Sequence, residues 1–202
     1  MQRYVYHMVP REMVGLELMP LNRLGALFPH LYERYSKKYF DHPERPKLFM
    51  KEIPYLNCLW NDVVHFLPIH PSHLYKALTE LGIATRESLM FYQIPIQKLA
   101  VNRNAMYLYS KEHYKGPAGA IAAEDIKLLS LPDYRELEQL PSATVDYFQT
   151  EKEKGKNFGL FAYIPHLFSL GNVSLFNKNR GKKKRIRLYT YICSCWCLVG
   201  CM

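Results

Sequence analysis

Apolar and polar side chains alternate over Arg3–Val9, with Tyr4, Tyr6 and Met8 on one face and Val5, His7 and Val9 on the other. That two-residue period predicts a strand, ended by Pro10 and Gly15. The period then lengthens. Leu21–Phe28 and His30–Phe40 read as helical pieces broken at Pro29, because a proline ring removes a backbone donor and crowds the preceding turn. In the second piece Leu31, Tyr35 and Tyr39 recur every four residues on one face, the spacing an amphipathic helix buries. Asp41–Lys47 is polar, holds two prolines and predicts a surface loop. Val63–Leu67 reads as a short apolar strand, with Pro68 and Pro71 bracketing the turn that follows. Leu74, Ala77, Leu78 and Leu81 then keep the i, i+3, i+4, i+7 pattern, so a helix starts at Pro71 and stops at Gly82.

Further along, the pattern predicts strands at Leu89–Ile96, Ala105–Tyr109, Leu160–Ile164 and Val173–Phe176. It predicts a loop at Gly116–Gly119 and short helical pieces at Ala120–Leu129 and Pro132–Gln139. Nothing repeats at a period of about 20–50 residues. Several strands, with helices clustered in the N-terminal half, describe one α+β domain over residues 1–177.

Composition changes this picture mainly at the C-terminus. The chain has 202 residues, 49% of them apolar and 22% charged, which suits a packed globular domain and argues against disorder. Its net charge of +9 is unevenly placed. Seven of the 27 basic residues lie between Lys178 and Arg187, and no Asp or Glu follows Glu153. Residues 1–177 are therefore nearly neutral, which disfavours a basic nucleic-acid face on the folded part. The tail, residues 178–202, remains able to touch phosphates or an anionic membrane surface. Four of the five cysteines (Cys193, Cys195, Cys197, Cys201) crowd into it. Their spacing is no zinc pattern, and beside the basic run it resembles an acylated, polybasic membrane anchor. An altered reading frame or an unstructured extension gives the same abrupt change after Asn177. No stretch approaches about 18 uninterrupted apolar residues, and Met1–Tyr4 begins no basic-then-apolar leader. The expectation is a cytoplasmic protein whose tail offers a peripheral membrane contact.

The motifs G-x-G-x-x-G, G-x4-G-K-[ST], H-E-x-x-H and G-x-S-x-G are absent, which disfavours the dehydrogenase, P-loop, zincin and α/β-hydrolase classes. Asp62, His65, His70 and His73 carry metal-ligating groups, but two prolines interrupt them and the spacing is not helical. A sheet-facing His65 and a solvated His73 are the plainer reading, and no stable metal is expected. Cys58, inside apolar Leu56–Trp60, reads as an inert buried thiol.

An ordered set of short segments resembles the ADP-ribosyltransferases of the DarT type, which modify DNA bases using NAD. Tyr6-His7-Met8-Val9 is similar to that family's Y-H-I-T segment, and Asp62–Tyr75 loosely resembles its D-Y-V-P-F-Y-F-x-P-R-S-P-M-L-Y segment. Leu160–His166 is similar to its late A-F-L-V…F-P-W strand, preceded by Glu151 and Glu153. The family's early Arg and Gly have only Arg11 or Arg45, and Gly15, as stand-ins, and His30–Lys51 fits as an insertion.

The resemblance implies an ADP-ribosyltransferase-like split sheet, mixed or antiparallel, with NAD as a substrate and a nucleic acid or protein as acceptor. Breaking the nicotinamide–ribose bond develops positive charge on the sugar, which a carboxylate stabilises most in the transition state. The resemblance assigns that role to Glu153 or Glu151. It places His7, with Tyr6 beside it, at the ribose hydroxyls and Tyr92 against the nicotinamide ring, and leaves Asp62 and His65 as further candidates. Against these stand plain structural readings: His7 a satisfied strand residue, Tyr92 a core aromatic, Glu151 and Glu153 part of an exposed charged hairpin. The alternative function is a non-catalytic interaction module with a polybasic, lipidated tail.

Overall fold

The computed structural model describes residues 2–83, 87–155, 158–176 and 188–193, with residues 87, 88 and 188–193 as backbone. The basic run Lys178–Arg187 and the cysteines beyond Cys193 lie outside the described residues. In chain order the elements are β1 (Tyr4–Met8), β2 (Glu17–Leu18), α1 (Leu21–Leu27), α2 (Pro29–Ser36), β3 (Glu52–Ile53), β4 (Cys58–Leu59), β5 (Val63–Phe66) and α3 (Pro71–Glu80). There follow β6 (Glu87–Pro95), β7 (Arg103–Tyr107), β8 (Ile126–Leu128), α4 (Ser142–Glu153), β9 (His166–Leu170), β10 (Val173–Ser174) and β11 (Leu188–Cys193).

Two antiparallel sheets carry the architecture, one ordered β1–β6–β11 and the other β5–β9–β7–β8. They meet where Tyr6 and Leu67 exchange both backbone hydrogen bonds, at 2.9 and 2.8 Å. From this bridge β1 and β5 run into different sheets. The result is an antiparallel β core with flanking helices, an α+β architecture. The two-residue period of β1 decides which side chain goes where. Tyr6 packs with Leu67, Leu74, Leu78, Phe91, Phe148 and Phe161, whereas Val5 packs with Val64, Phe66, Ile94, Leu99 and Leu167. A third cluster holds Ile53, Val63, Ala105, Tyr107 and Phe168. Each such side chain, once fully buried, contributes about 2 kcal/mol.

The helix from Pro71 forms as its spacing predicts: Leu74, Ala77 and Leu78 are buried, the His70 ring accepts from Ser72 N, and Gly82 turns left-handed at φ 61°. Four expectations change. Leu160–Ile164 is not a strand. Tyr163 adopts φ 59°, and Ile164 N bonds back to Phe161 O at 3.2 Å. That turn aims Leu160, Phe161 and Ile164 into one core cluster, a pattern that resembles alternation in sequence. The strand comes later, as β9. Ala120–Leu129 is a short turn leading into β8, which pairs with β7. In Pro132–Gln139 the helical piece is only one tight turn, Leu131–Asp133, which stops at Tyr134, where the polar groups bond outward: Tyr134 OH to Tyr4 O at 2.7 Å, and Leu137 N to Pro68 O at 2.7 Å. Finally, Glu151–Lys154 is no hairpin but the end of α4, a fourth helix, in the C-terminal half. β11, in the segment read as a tail, pairs along β6 from Leu188↔Tyr92 to Cys193↔Glu87.

Candidate functional site

Beside the fork between the sheets lies a cavity of about 570 Å³, a size suited to a small organic ligand. The end of β1 supplies His7 and Met8, the start of β5 supplies Val63–His65, and Asn61 comes from the turn before β5. Leu21 and Leu24 of α1, Leu31 and Arg34 of α2, and Lys38 and Tyr39 beyond it close the opposite side. The Arg11–Met13 loop completes the wall. The lining thus mixes apolar Leu21, Leu24 and Leu31 with the cations Arg11, Arg34 and Lys38 and the carboxylates Glu12 and Glu17.

Three further polar side chains of the lining are uncharged and held in fixed hydrogen-bonding states. His65 is 6% exposed, and its Nε2 lies 3.0 Å from the carbonyl of Trp60. A carbonyl only accepts, so Nε2 carries the proton. Burial first, then the neighbouring His166 imidazole, pushes its pKa down to about 3, so the ring is neutral near pH 7 and Nδ1 is a bare acceptor. Among the described residues no hydrogen-bond partner meets that Nδ1. Asn61 is 2% exposed; its Oδ1 accepts from Tyr39 OH at 2.8 Å, and its Nδ2 likewise has no partner among the described residues. Leaving a buried donor or acceptor unpaired costs about 1–3 kcal/mol. Half-buried His7 bonds through Nδ1–H to Met8 O at 2.6 Å, which makes Nε2 its acceptor. Burial lowers its pKa to about 4. The Lys38 charge further disfavours protonation of both His7 and His65.

The other sequence candidates lie elsewhere. Tyr92 sits opposite His7 in the β1–β6 register, but its hydroxyl reaches Met13 Sδ at 3.4 Å, it packs with the second core cluster, and it is not part of the cavity lining. Tyr6 takes the other face of β1, where its hydroxyl donates to Glu136 Oε2 at 3.2 Å and accepts from Gln93 at 3.3 Å. Asp62 has both oxygens engaged, Oδ1 by Asn22 at 2.7 Å and Oδ2 by Leu59 N at 2.8 Å. Glu151 pairs with Lys154 at 2.8 Å and Glu153 accepts from Gln149 at 3.2 Å. Both belong to the last turn of α4 and neither lines the cavity. The carboxylates that do line it are Glu12, ion-paired with Arg34, and Glu17. Sequence reasoning passed over them, and over Asn61, since no motif marks them.

A wider hollow of about 1000 Å³ is lined by Lys51, Cys58, Asp62 and Gly119 among others. Burial pushes the Cys58 thiol up to about 11, with the Asp62 charge adding to it, which suppresses the thiolate a nucleophile requires. None of the unpartnered buried atoms belongs to this lining, so the smaller cavity is the better site. Among the described residues no cluster of three or more His, Cys, Asp or Glu side chains is placed to hold a metal ion, and no helix is long and apolar enough to cross a membrane. No family model, curated protein or solved structure compared with the chain matches it.

Proposed function

We propose that the protein is an NAD-consuming, ADP-ribosyltransferase-like enzyme, with the dinucleotide held in the cavity beside the sheet fork. The observation that carries this reading is that His7 and His65, from strands of the two different sheets, line one cavity with Arg11, Arg34 and Lys38. The neutral imidazole of half-buried His7, with Nε2 as its acceptor, suits a ribose hydroxyl, and the cations suit a pyrophosphate. The carboxylate facing a developing ribosyl cation is then Glu12 or Glu17 rather than Glu151 or Glu153. Transfer to a nucleic acid or protein acceptor, rather than hydrolysis, requires that water be kept from the sugar, and apolar Leu21, Leu24 and Leu31 serve that end.

The test is nicotinamide release from NAD by the full chain and by His7→Ala, Glu12→Gln, Glu17→Gln, Glu151→Gln and Glu153→Gln. The reading expects release by the wild type, loss in His7→Ala and in one of the first two glutamate variants, and unchanged release in the last two. Absence of both NAD binding in calorimetry and nicotinamide release would overturn it.

A further inference from the structure

We infer that residues 37–51 form a docking face for an anionic membrane surface, with Phe40 and Met50 as the side chains that enter it. The segment runs from the end of α2 to the start of β3 and closes in a tight helical turn, Arg45–Met50, with Pro46 near its start. Met50 is 76% exposed and Phe40 67%, more than any other large apolar side chain among the described residues except Val101. Phe49 links the two. Its ring centroid lies 5.9 Å from that of Phe40 and 4.9 Å from that of buried Tyr39, and Met50 follows it in the chain. The exposed pair thus stands on a packed base, which lowers the ordering cost of docking.

Charge decides the partner. Residues 37–51 hold five basic side chains (Lys37, Lys38, Arg45, Lys47, Lys51) against two acidic ones (Asp41, Glu44), a net of +3, whereas the rest of residues 1–177 holds 15 basic and 16 acidic ones, a net of −1. Both acidic residues are ion-paired within the segment, Asp41 to Arg45 at 2.6 Å and Glu44 to Lys47 at 3.8 Å. Lys37 and Lys47 are exposed. Lysine is depleted in protein–protein interfaces. Lysines flanking an exposed aromatic ring and a methionine suit a lipid headgroup layer, where the apolar tips enter the acyl boundary and the ammonium groups stay among the phosphates. The seven basic residues of residues 178–187 have the same sign, and an anionic leaflet attracts both stretches. This inference stands apart from NAD cleavage.

The experiment sediments the full chain with vesicles of phosphatidylcholine alone and of phosphatidylcholine mixed equally with phosphatidylserine. Every variant keeps residues 178–202, so a loss measures the contribution of residues 37–51. We expect the wild type to bind the mixed vesicles in preference to the neutral ones, and salt to weaken that binding. The double variant Phe40→Ser, Met50→Ser is expected to partition about tenfold or more weakly, with thermal melting close to wild type because both side chains are exposed. Lys37→Glu, which leaves the apolar side chains intact, is expected to weaken binding to the mixed vesicles alone. Equal partitioning of the wild type and the double variant would assign binding to the tail and overturn the inference, as would equal binding to both kinds of vesicle or binding to neither. A dimer in sedimentation velocity that the double variant abolishes, without vesicle binding, would give the face to a second copy and also overturn it.

Discussion

Trp60 holds His65 from two sides: its carbonyl accepts the Nε2–H at 3.0 Å, and its indole packs 4.6 Å from the imidazole, centroid to centroid. The ring is thereby buried in its neutral form. His166, buried nearby with Nδ1–H on Ile164 O at 2.6 Å, is in the same state, its pKa lowered to about 4 by burial. In the unfolded chain both return to about 6.5. Between about pH 6.5 and 4 the unfolded chain binds protons that the fold refuses. The contribution of these two histidines is therefore full above about pH 6.5 and falls as pH drops, by up to about 1.4 kcal/mol per pH unit for each. His7, half-open to the cavity, adds less. His113 acts oppositely, since its hydrogen bond to Asp125 raises its pKa, but it is solvent-exposed and weighs little. Urea melts at pH 7.5, 6 and 5 should show a falling midpoint, and His166→Gln should flatten the fall. A midpoint independent of pH would contradict the buried neutral state.

Asp62, conspicuous in the sequence as a metal-ligating group, instead closes its own turn and ties it to α1. One oxygen accepts from Leu59 N at the start of the turn before β5, and the other from Asn22 of α1. Asp62→Ala should cost about 1–3 kcal/mol in urea denaturation. Because α1 forms one side of the cavity, the variant should also weaken any ligand held there. A change below about 0.5 kcal/mol would show that water replaces these bonds at no cost.

How far the sequence shows the fold depends on how regularly each element buries its residues. The strand at Tyr4–Met8 and the helix at Pro71–Glu80 are legible because their fully buried positions, Val5 and Tyr6 in one and Pro71, Leu74, Ala77 and Leu78 in the other, are all apolar. α4 is not. Its fully buried residues are only Thr144 and Phe148, one of them polar, so no apolar stripe marks a helix of 12 residues. Glu151 and Glu153 stood out by their order before a strand-like segment, and the helix sets them at its solvated end. The site divides in the same way. His7 and His65 are legible because histidines within apolar strands are conspicuous. Asn61, Lys38 and Glu12 are not, because only the packing of α1 and α2 against the start of β5 brings them to one cavity.

α4 owes its place to packing rather than to periodicity, so truncating its anchor should be severe. Phe148 is fully buried, and its ring centroid lies 5.4 Å from that of Phe158. Phe148→Ala is expected to cost about 3–5 kcal/mol. Glu153→Ala, on the exposed end of the same helix, should stay within about 0.5 kcal/mol. Equal effects would mean that α4 is not held through its buried face.

Lys51 supplies the last expectation, because here two physical effects oppose each other. The residue is 8% exposed, and its Nζ lies 5.8 Å from the Trp60 ring centroid, 5.9 Å from that of Tyr114 and 3.4 Å from Gly116 O. No carboxylate among the described residues forms an ion pair with it. Burial lowers its pKa to about 8. The aromatic faces attract the cation by about 1–2 kcal/mol, but an ammonium taken from water without a counter-ion loses several times that in hydration. Desolvation therefore wins. Lys51→Met, close in volume and uncharged, should stabilise the protein by about 1 kcal/mol at pH 7. In the wild type the folded amine releases its proton near pH 8 while the unfolded one keeps it to about 10.4, so wild-type stability rises over that interval and the advantage of the variant shrinks by pH 10. Urea midpoints of both proteins at pH 7 and pH 10 measure this. A variant less stable than wild type at pH 7 would reverse the ranking and show that the Trp60 and Tyr114 faces outweigh the lost water.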